Sequence, residues 1–125
     1  MKTVTTRTST YILRDDGIIV QEVRGKQQLL DAQENMKVFL ELAGGTKRLL
    51  LCDLRESGPT GPGVRQFYAT HTNHLNAVAL VISSPLSEMI GNFFVRLNKP
   101  DVPTAFFADQ ESAIPWLLQV GTKSK

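Results

Sequence analysis

The sequence predicts an α/β domain: an N-terminal β-hairpin, then βα repeats, giving a mostly parallel five-stranded sheet with four helices. Three observations carry the fold class. Two β-branched runs flank Asp16-Gly17, a pair that accepts positive φ in a tight hairpin turn. The short apolar run Arg48–Leu54, RLLLCDL, closes on an acid and leads into Gly/Pro-rich sequence, as buried parallel strands do. Between and after these runs, apolar residues recur at spacings of three and four, the period of a helix with one buried face. In open α/β sheets, sites gather beyond the carboxyl ends of the strands, which here means Asp53 onward.

Taken in order, Val4–Leu13 and Ile18–Val23 are the predicted antiparallel pair. Leu29, Ala32, Met36, Phe39, Leu40 and Ala43 mark the inward face of the first helix, and Gly44-Gly45 ends it. Arg48–Leu54 is the central strand, and Ser57–Gly63 its exposed exit loop. VRQFYATHTNH reads as a short helix that Thr60 can cap, with Pro62 in its first turn. Asn76–Ser83 is a second buried strand, Pro85–Asn98 a helix with Leu86, Met89, Ile90, Phe93 and Leu97 inward, and Thr104–Ala108 the last strand. Asp109 caps a final helix docked by Ala113, Ile114, Trp116, Leu117 and Val120, which Pro115 should bend or delay. Residues 121–125 form a frayed tail. Right-handed crossovers then set four strands parallel and the first antiparallel.

A chain of 125 residues with 42% hydrophobic content has the size and composition of one globular domain with one core. The net charge of +2 comes from scattered Lys and Arg with no basic stripe, which argues against nucleic acid as a partner. A polar, β-branched N-terminus and the lack of any apolar run near ~18 residues predict a cytoplasmic protein without membrane insertion. The lone Cys52 excludes an intramolecular disulfide and fits a reducing compartment.

The chemistry-bearing residues are sparse. SGPTGPG offers backbone N–H groups to an anion, but lacks the Gly-Lys-Ser/Thr of a phosphate-binding loop, so a turn is the favoured reading. Asp53 and Glu56 flank Arg55 without a phosphatase-type spacing, and Asp53 is expected to accept hydrogen bonds from its own loop. His71 and His74 lack a third ligand at a recognisable spacing, so neither a metal nor another cofactor is expected. Cys52 in mid-strand is expected to be core, with its thiol pKa raised by burial. No Gly-x-Ser-x-Gly elbow surrounds Ser57, Ser83, Ser84 or Ser87, and no catalytic motif is found. Phe93 and Phe94 cannot face one core together, nor can Phe106 and Phe107; with Met89 they mark a predicted apolar-ligand or homodimer surface.

The element order, the LLLCDL strand before an irregular loop, and SSPLSEMIGNFFVRLNKPDVPTAFFADQESAIPWL resemble bacterial STAS-like domains, the superfamily of the sporulation antagonist SpoIIAA. Within it, the chain resembles a group of small stand-alone bacterial STAS-like proteins. The resemblance implies regulation by binding a protein partner rather than catalysis. In antagonists of that superfamily a Ser or Thr in an Asp-Ser-Ser-Gly-Leu motif is phosphorylated. This chain reads Ser57-Gly58-Pro59-Thr60-Gly61-Pro62-Gly63 there, leaving Ser57 and Thr60 as the nearest candidate phosphosites and Asp53, Arg55, Glu56, Ser57 and Thr60 as the candidate recognition loop. A related branch is similar to Sec14-type lipid-binding domains, which implies the alternative of a small apolar-ligand carrier or sensor.

Overall fold

The computed structural model describes residues 1–83 and 101–123. The strands are β1 (Lys2–Thr5), β2 (Ser9–Leu13), β3 (Ile19–Gln27), β4 (Arg48–Thr60), β5 (Leu75–Val81) and β6 (Thr104–Phe107). The helices among the described residues are α1 (Leu29–Ala43), α2 (Val64–Ala69) and α3 (Gln110–Lys123). The strands form a six-stranded sheet in sequential order. β1, β2 and β3 pair antiparallel, whereas β3 through β6 pair parallel, with β4 between two parallel neighbours.

Six strands replace the expected five because Val4–Leu13 is not continuous. The chain reverses at Thr6–Thr8, where Thr6 N–H donates to the Ser9 carbonyl at 2.8 Å and Thr6 Oγ1 accepts from Ser9 N–H at 3.0 Å. A Thr hydroxyl closes this turn in place of the usual Gly or Asn. The hairpin at Asp16-Gly17 forms as expected, with Gly17 at φ 89° and Asp16 Oδ1 accepting from Ile18 N–H. Of the expected four helices, Pro85–Asn98 lies outside the described residues, as do Met89, Phe93 and Phe94.

Side-chain alternation along the strands divides the core in two. On one face, Ile18, Val20, Leu51, Ala77, Ala79 and Val81 pack under Ala113 and Leu117 of α3. Phe107 joins this face and meets Trp116 with ring centroids 5.6 Å apart. α3 lies close enough to the sheet that a Cβ on Gly121 would come within 2.9 Å of Leu49 Cδ1. Ser112 N–H donates to Asp109 Oδ1 at 2.8 Å, the expected cap. The helix is not delayed by Pro115, since it starts at Gln110 and runs through Pro115 to Lys123.

On the opposite face, Tyr11 and Ile19 pack against Phe39, Leu42 and Ala43 of α1. The buried stripe of α1 is Ala32, Asn35, Phe39, Leu42 and Ala43, rotated from the expected one. Leu29 and Leu40 are each 38% exposed, and a buried asparagine occupies the stripe instead.

The largest correction concerns the exit loop. Residues Arg55–Thr60 are strand: β4 continues beside β3, pairing Glu56 with Arg24, Ser57 with Gly25 and Thr60 with Gln27. β5 stops at Val81, opposite Asp53, so the far end of β4 has no ladder neighbour on that side among the described residues. A proline such as Pro59 is tolerated on such an edge because its missing N–H breaks no ladder bond. Gly58 serves close approach rather than flexibility, because a Cβ there would lie 3.3 Å from the Gly25 carbonyl carbon. Thr60 does not cap α2; the residue before that helix is Gly63, at φ 80°.

Candidate functional site

The two faces of the sheet treat their polar residues differently. On the α3 face, Asp53 is only 7% exposed and carries a closed set of partners. Arg55 donates from its backbone N–H to Oδ1 at 3.1 Å, from Nε at 3.0 Å and from Nη2 to Oδ2 at 2.7 Å. Gln110 Nε2, at the start of α3, donates to Asp53 Oδ2 at 2.8 Å and to Glu22 Oε2 at 2.9 Å. Burial alone would raise the Asp53 carboxyl, but the hydrogen bonds from Arg55 and Gln110 outweigh it and hold the group below the usual carboxylate range. The expected hydrogen bond from its own following segment is present, and the arrangement ties β3, β4 and α3 together. Glu56 projects from exposed strand and is not brought into this set by any described contact.

On the α1 face, a polar network runs inward from the β1–β2 turn. Thr6 Oγ1 donates to Asn35 Oδ1 at 2.6 Å, and Asn35 Nδ2 donates to Thr8 Oγ1 at 3.1 Å and to the Tyr68 hydroxyl at 3.4 Å. Tyr68 in turn donates to Gln27 Oε1 at 2.8 Å, while Gln21 Nε2 donates to Ser9 Oγ at 3.0 Å. Burial raises the Tyr68 phenol above its ordinary pKa, so it stays a neutral donor near neutral pH. No buried side-chain donor or acceptor among the described residues is left without a partner.

Beside this network, α1, α2 and strands β3–β5 bound a cavity of about 680 Å³. Its walls include Tyr11, Phe39 and Met36, with Leu50, Cys52, Val78 and Leu80 along the sheet. Gln21, Gln27 and Tyr68 bring the edge of the polar network to its surface. Its volume lies inside the range of roughly 300–1,000 Å³ typical of small-molecule sites, which are likewise mainly apolar with a few placed polar groups. Toward α2 it meets Ser57, Thr60, Arg65 and His71, and a flatter hollow over Pro59–Gly63 shares Arg65 with it.

Several predicted site residues therefore converge, though not in the predicted way. Ser57 and Thr60 reach the cavity from β4 rather than from a loop, whereas Asp53 and Arg55 serve the other face of the same strand. Cys52 is half-buried at the cavity wall instead of being sealed in the core, and burial pushes its thiol up to about 12, leaving little thiolate at neutral pH. His71 and His74 do not share a helix face, since α2 ends at Ala69. His71 Nδ1 lies 2.6 Å from the Phe67 carbonyl, an acceptor only, so that nitrogen carries the proton. No cluster of three metal-capable side chains occurs among the described residues. Phe106 sits half-buried on β6, one position from Phe107 and so directed to the other face. The sequence reading missed Asn35, Gln21, Gln27 and Tyr68 because a polar residue on an apolar stripe reads as an interruption of it.

Comparison with known proteins agrees with this architecture. The chain is similar to a crystal structure from Shewanella loihica PV-4, an uncharacterised protein of the DUF3478 family with a SpoIIAA-like fold. The two are 15% identical, the match covers 93% of this chain and 90% of that one, and the TM-score is 0.64. The fold is thus SpoIIAA-like, as the resemblance in sequence implied. A protein of unknown function from Arthrobacter sp. FB24 aligns at 24% identity over 93% of this chain and 97% of that one, with a TM-score of 0.32. No curated protein matches. No helix among the described residues is long and apolar enough to cross a membrane. Residues 11–121 match the family model described as a domain of unknown function, DUF7793, and the chain belongs to that family.

Proposed function

We propose that this chain is a non-enzymatic binding domain that holds a small apolar molecule between α1, α2 and the sheet. The observation that carries the reading is the cavity of about 680 Å³, walled by Tyr11, Phe39, Leu50, Val78 and Leu80. A concave space of this size, walled mainly by apolar side chains with a few polar groups, suits a small-molecule occupant. The polar network behind it supports the same reading. Asn35, Tyr68 and Gln27 fix one another's orientation, so a ligand would meet preset donors and acceptors rather than mobile ones. This is the carrier or sensor role that the similarity to Sec14-type domains implied, with α1 and α2 as its described walls.

Native mass spectrometry of the gently purified chain tests the reading. The expected result is a bound adduct of a few hundred daltons, released when the protein is unfolded. Chain mass alone, together with failure to take up any medium-chain amphiphile added in excess, contradicts it.

A second reading, a regulatory domain that binds a protein partner, is favoured by one different observation. Leu30 is 79% exposed and Leu29 38% exposed at the start of α1. A side chain at Gly63 would lie 3.9 Å from Leu29 Cδ2, so Leu29 adjoins the segment that ends at Gly63 and includes the exposed Thr60. Phosphorylation of Ser57 or Thr60 would place charge beside that apolar surface and at the cavity edge.

A further inference from the structure

We infer that the ligand is a monoanionic amphiphile, a medium-chain carboxylic acid or a molecule of that chemistry, whose head group pairs with Arg65 at the cavity mouth while its tail enters. The inference rests on the apolar-ligand reading above and adds the charge and direction of the occupant. Its basis is the distribution of charge around the opening. Arg65 is the one formally charged side chain among the described lining residues, and no Asp or Glu stands among them. Asp53 is held by Arg55 on the α3 face, and Asp31, outside the lining at the start of α1, is held by Arg7.

The chemistry of the mouth fits an anion further. Arg65 lies on α2 beside Val64, which is buried, so the helix is anchored by one residue while the next is exposed at the rim. A guanidinium presents a planar set of donors that matches a carboxylate in two parallel hydrogen bonds. His71 also reaches the lining, and with Nδ1 on the Phe67 carbonyl, Nε2 is the nitrogen outside that bond. Elsewhere in the lining, Phe39, Leu50 and Leu80 offer nothing to a charged head but suit an alkyl chain. An amphiphile entering tail first keeps its charge at the exposed rim, where desolvation is small. A cationic head would instead meet Arg65 with no acid among the described lining residues to offset the repulsion.

The test compares decanoate with 1-decanol by isothermal titration calorimetry on the full chain, each kept below its aggregation limit. The expected result is that decanoate binds about tenfold more tightly than the alcohol, as one partly solvated charge-assisted pair provides. In Arg65→Gln the two should bind alike, at the affinity the alcohol has for the unaltered chain. Because Arg65 is exposed, the substitution is expected to leave the melting temperature unchanged, which separates lost pairing from lost fold. Equal affinity for acid and alcohol in the unaltered chain overturns the inference and leaves the apolar-ligand reading standing. A preference for the acid that survives Arg65→Gln also overturns it. Failure of both molecules to bind overturns this inference and the reading beneath it.

Discussion

Asn35→Ala should lower the unfolding free energy by about 3 kcal/mol, because it removes the hub of a buried network rather than one contact. Asn35 is fully buried, and its amide serves Thr6, Thr8 and Tyr68 at once. Taking it away leaves the Thr6 hydroxyl only its Ser9 contacts and removes the Asn35 donor from the Thr8 hydroxyl, both in buried residues, and an unsatisfied buried group costs about 1–3 kcal/mol. The loss should exceed that expected from the side-chain volume alone, and Asn35→Leu should not restore it, since filling the space returns no donor to Thr8 and no acceptor to Thr6. Thermal unfolding followed by circular dichroism measures this, with a fall of about 10 °C expected for a domain of this size. If Asn35→Leu melts at or above the unaltered chain, the network contributes packing only.

Asp53→Ala is the second large effect, at about 2 kcal/mol near neutral pH. The carboxylate is buried, yet Arg55 is exposed enough to turn to water, so the full penalty of a broken interior ion pair does not apply. Gln110 keeps Glu22 as an acceptor, which limits the loss again. The pH dependence has a definite sign. The folded carboxyl is held below its ordinary value of about 3.9, so its stabilising contribution is complete above that pH and disappears as pH falls through the folded value. The gap in stability between the unaltered chain and Asp53→Asn should therefore be steady from pH 6 to about pH 4, then close below it. Denaturant melts of the pair across that range give the measurement. A gap that widens in acid would mean that Asp53 is not held ionised by Arg55 and Gln110.

Much of the fold was legible because it rests on patterns that local chemistry dictates. LLLCDL became the parallel-flanked central strand, Asp16-Gly17 the hairpin turn, Gly44 the left-handed end of α1 and Asp109 the cap of α3. What escaped depends on neighbours that are remote in sequence. Gly58 and Pro59 look like loop residues alone, yet β3 opposite them turns the segment into strand. Thr6–Thr8 looks like strand, yet a hydroxyl closes it into a turn that Asn35, 29 residues on from Thr6, then fastens. The site was legible only in part. Asp53 onward was the right strand end, but alternation sends Asp53 to one face and Cys52 to the cavity on the other, and the register shift between Asp53 and Glu56 then brings Ser57 to the cavity side. A two-residue period assigns faces only once the strand is known to continue, and the glycines and proline concealed that it does.

The binding reading requires a ligand to enter on the α1 face of the sheet and not on the α3 face. Methyl-resolved NMR of the labelled chain, titrated with decanoate, measures it. The shifts should gather at Leu50, Val78 and Leu80 on the cavity wall and leave Ile18, Leu51, Val81 and Leu117 beneath α3 in place. Shifts confined to the α3 face, or none on either face at saturating decanoate and decanol, would contradict it.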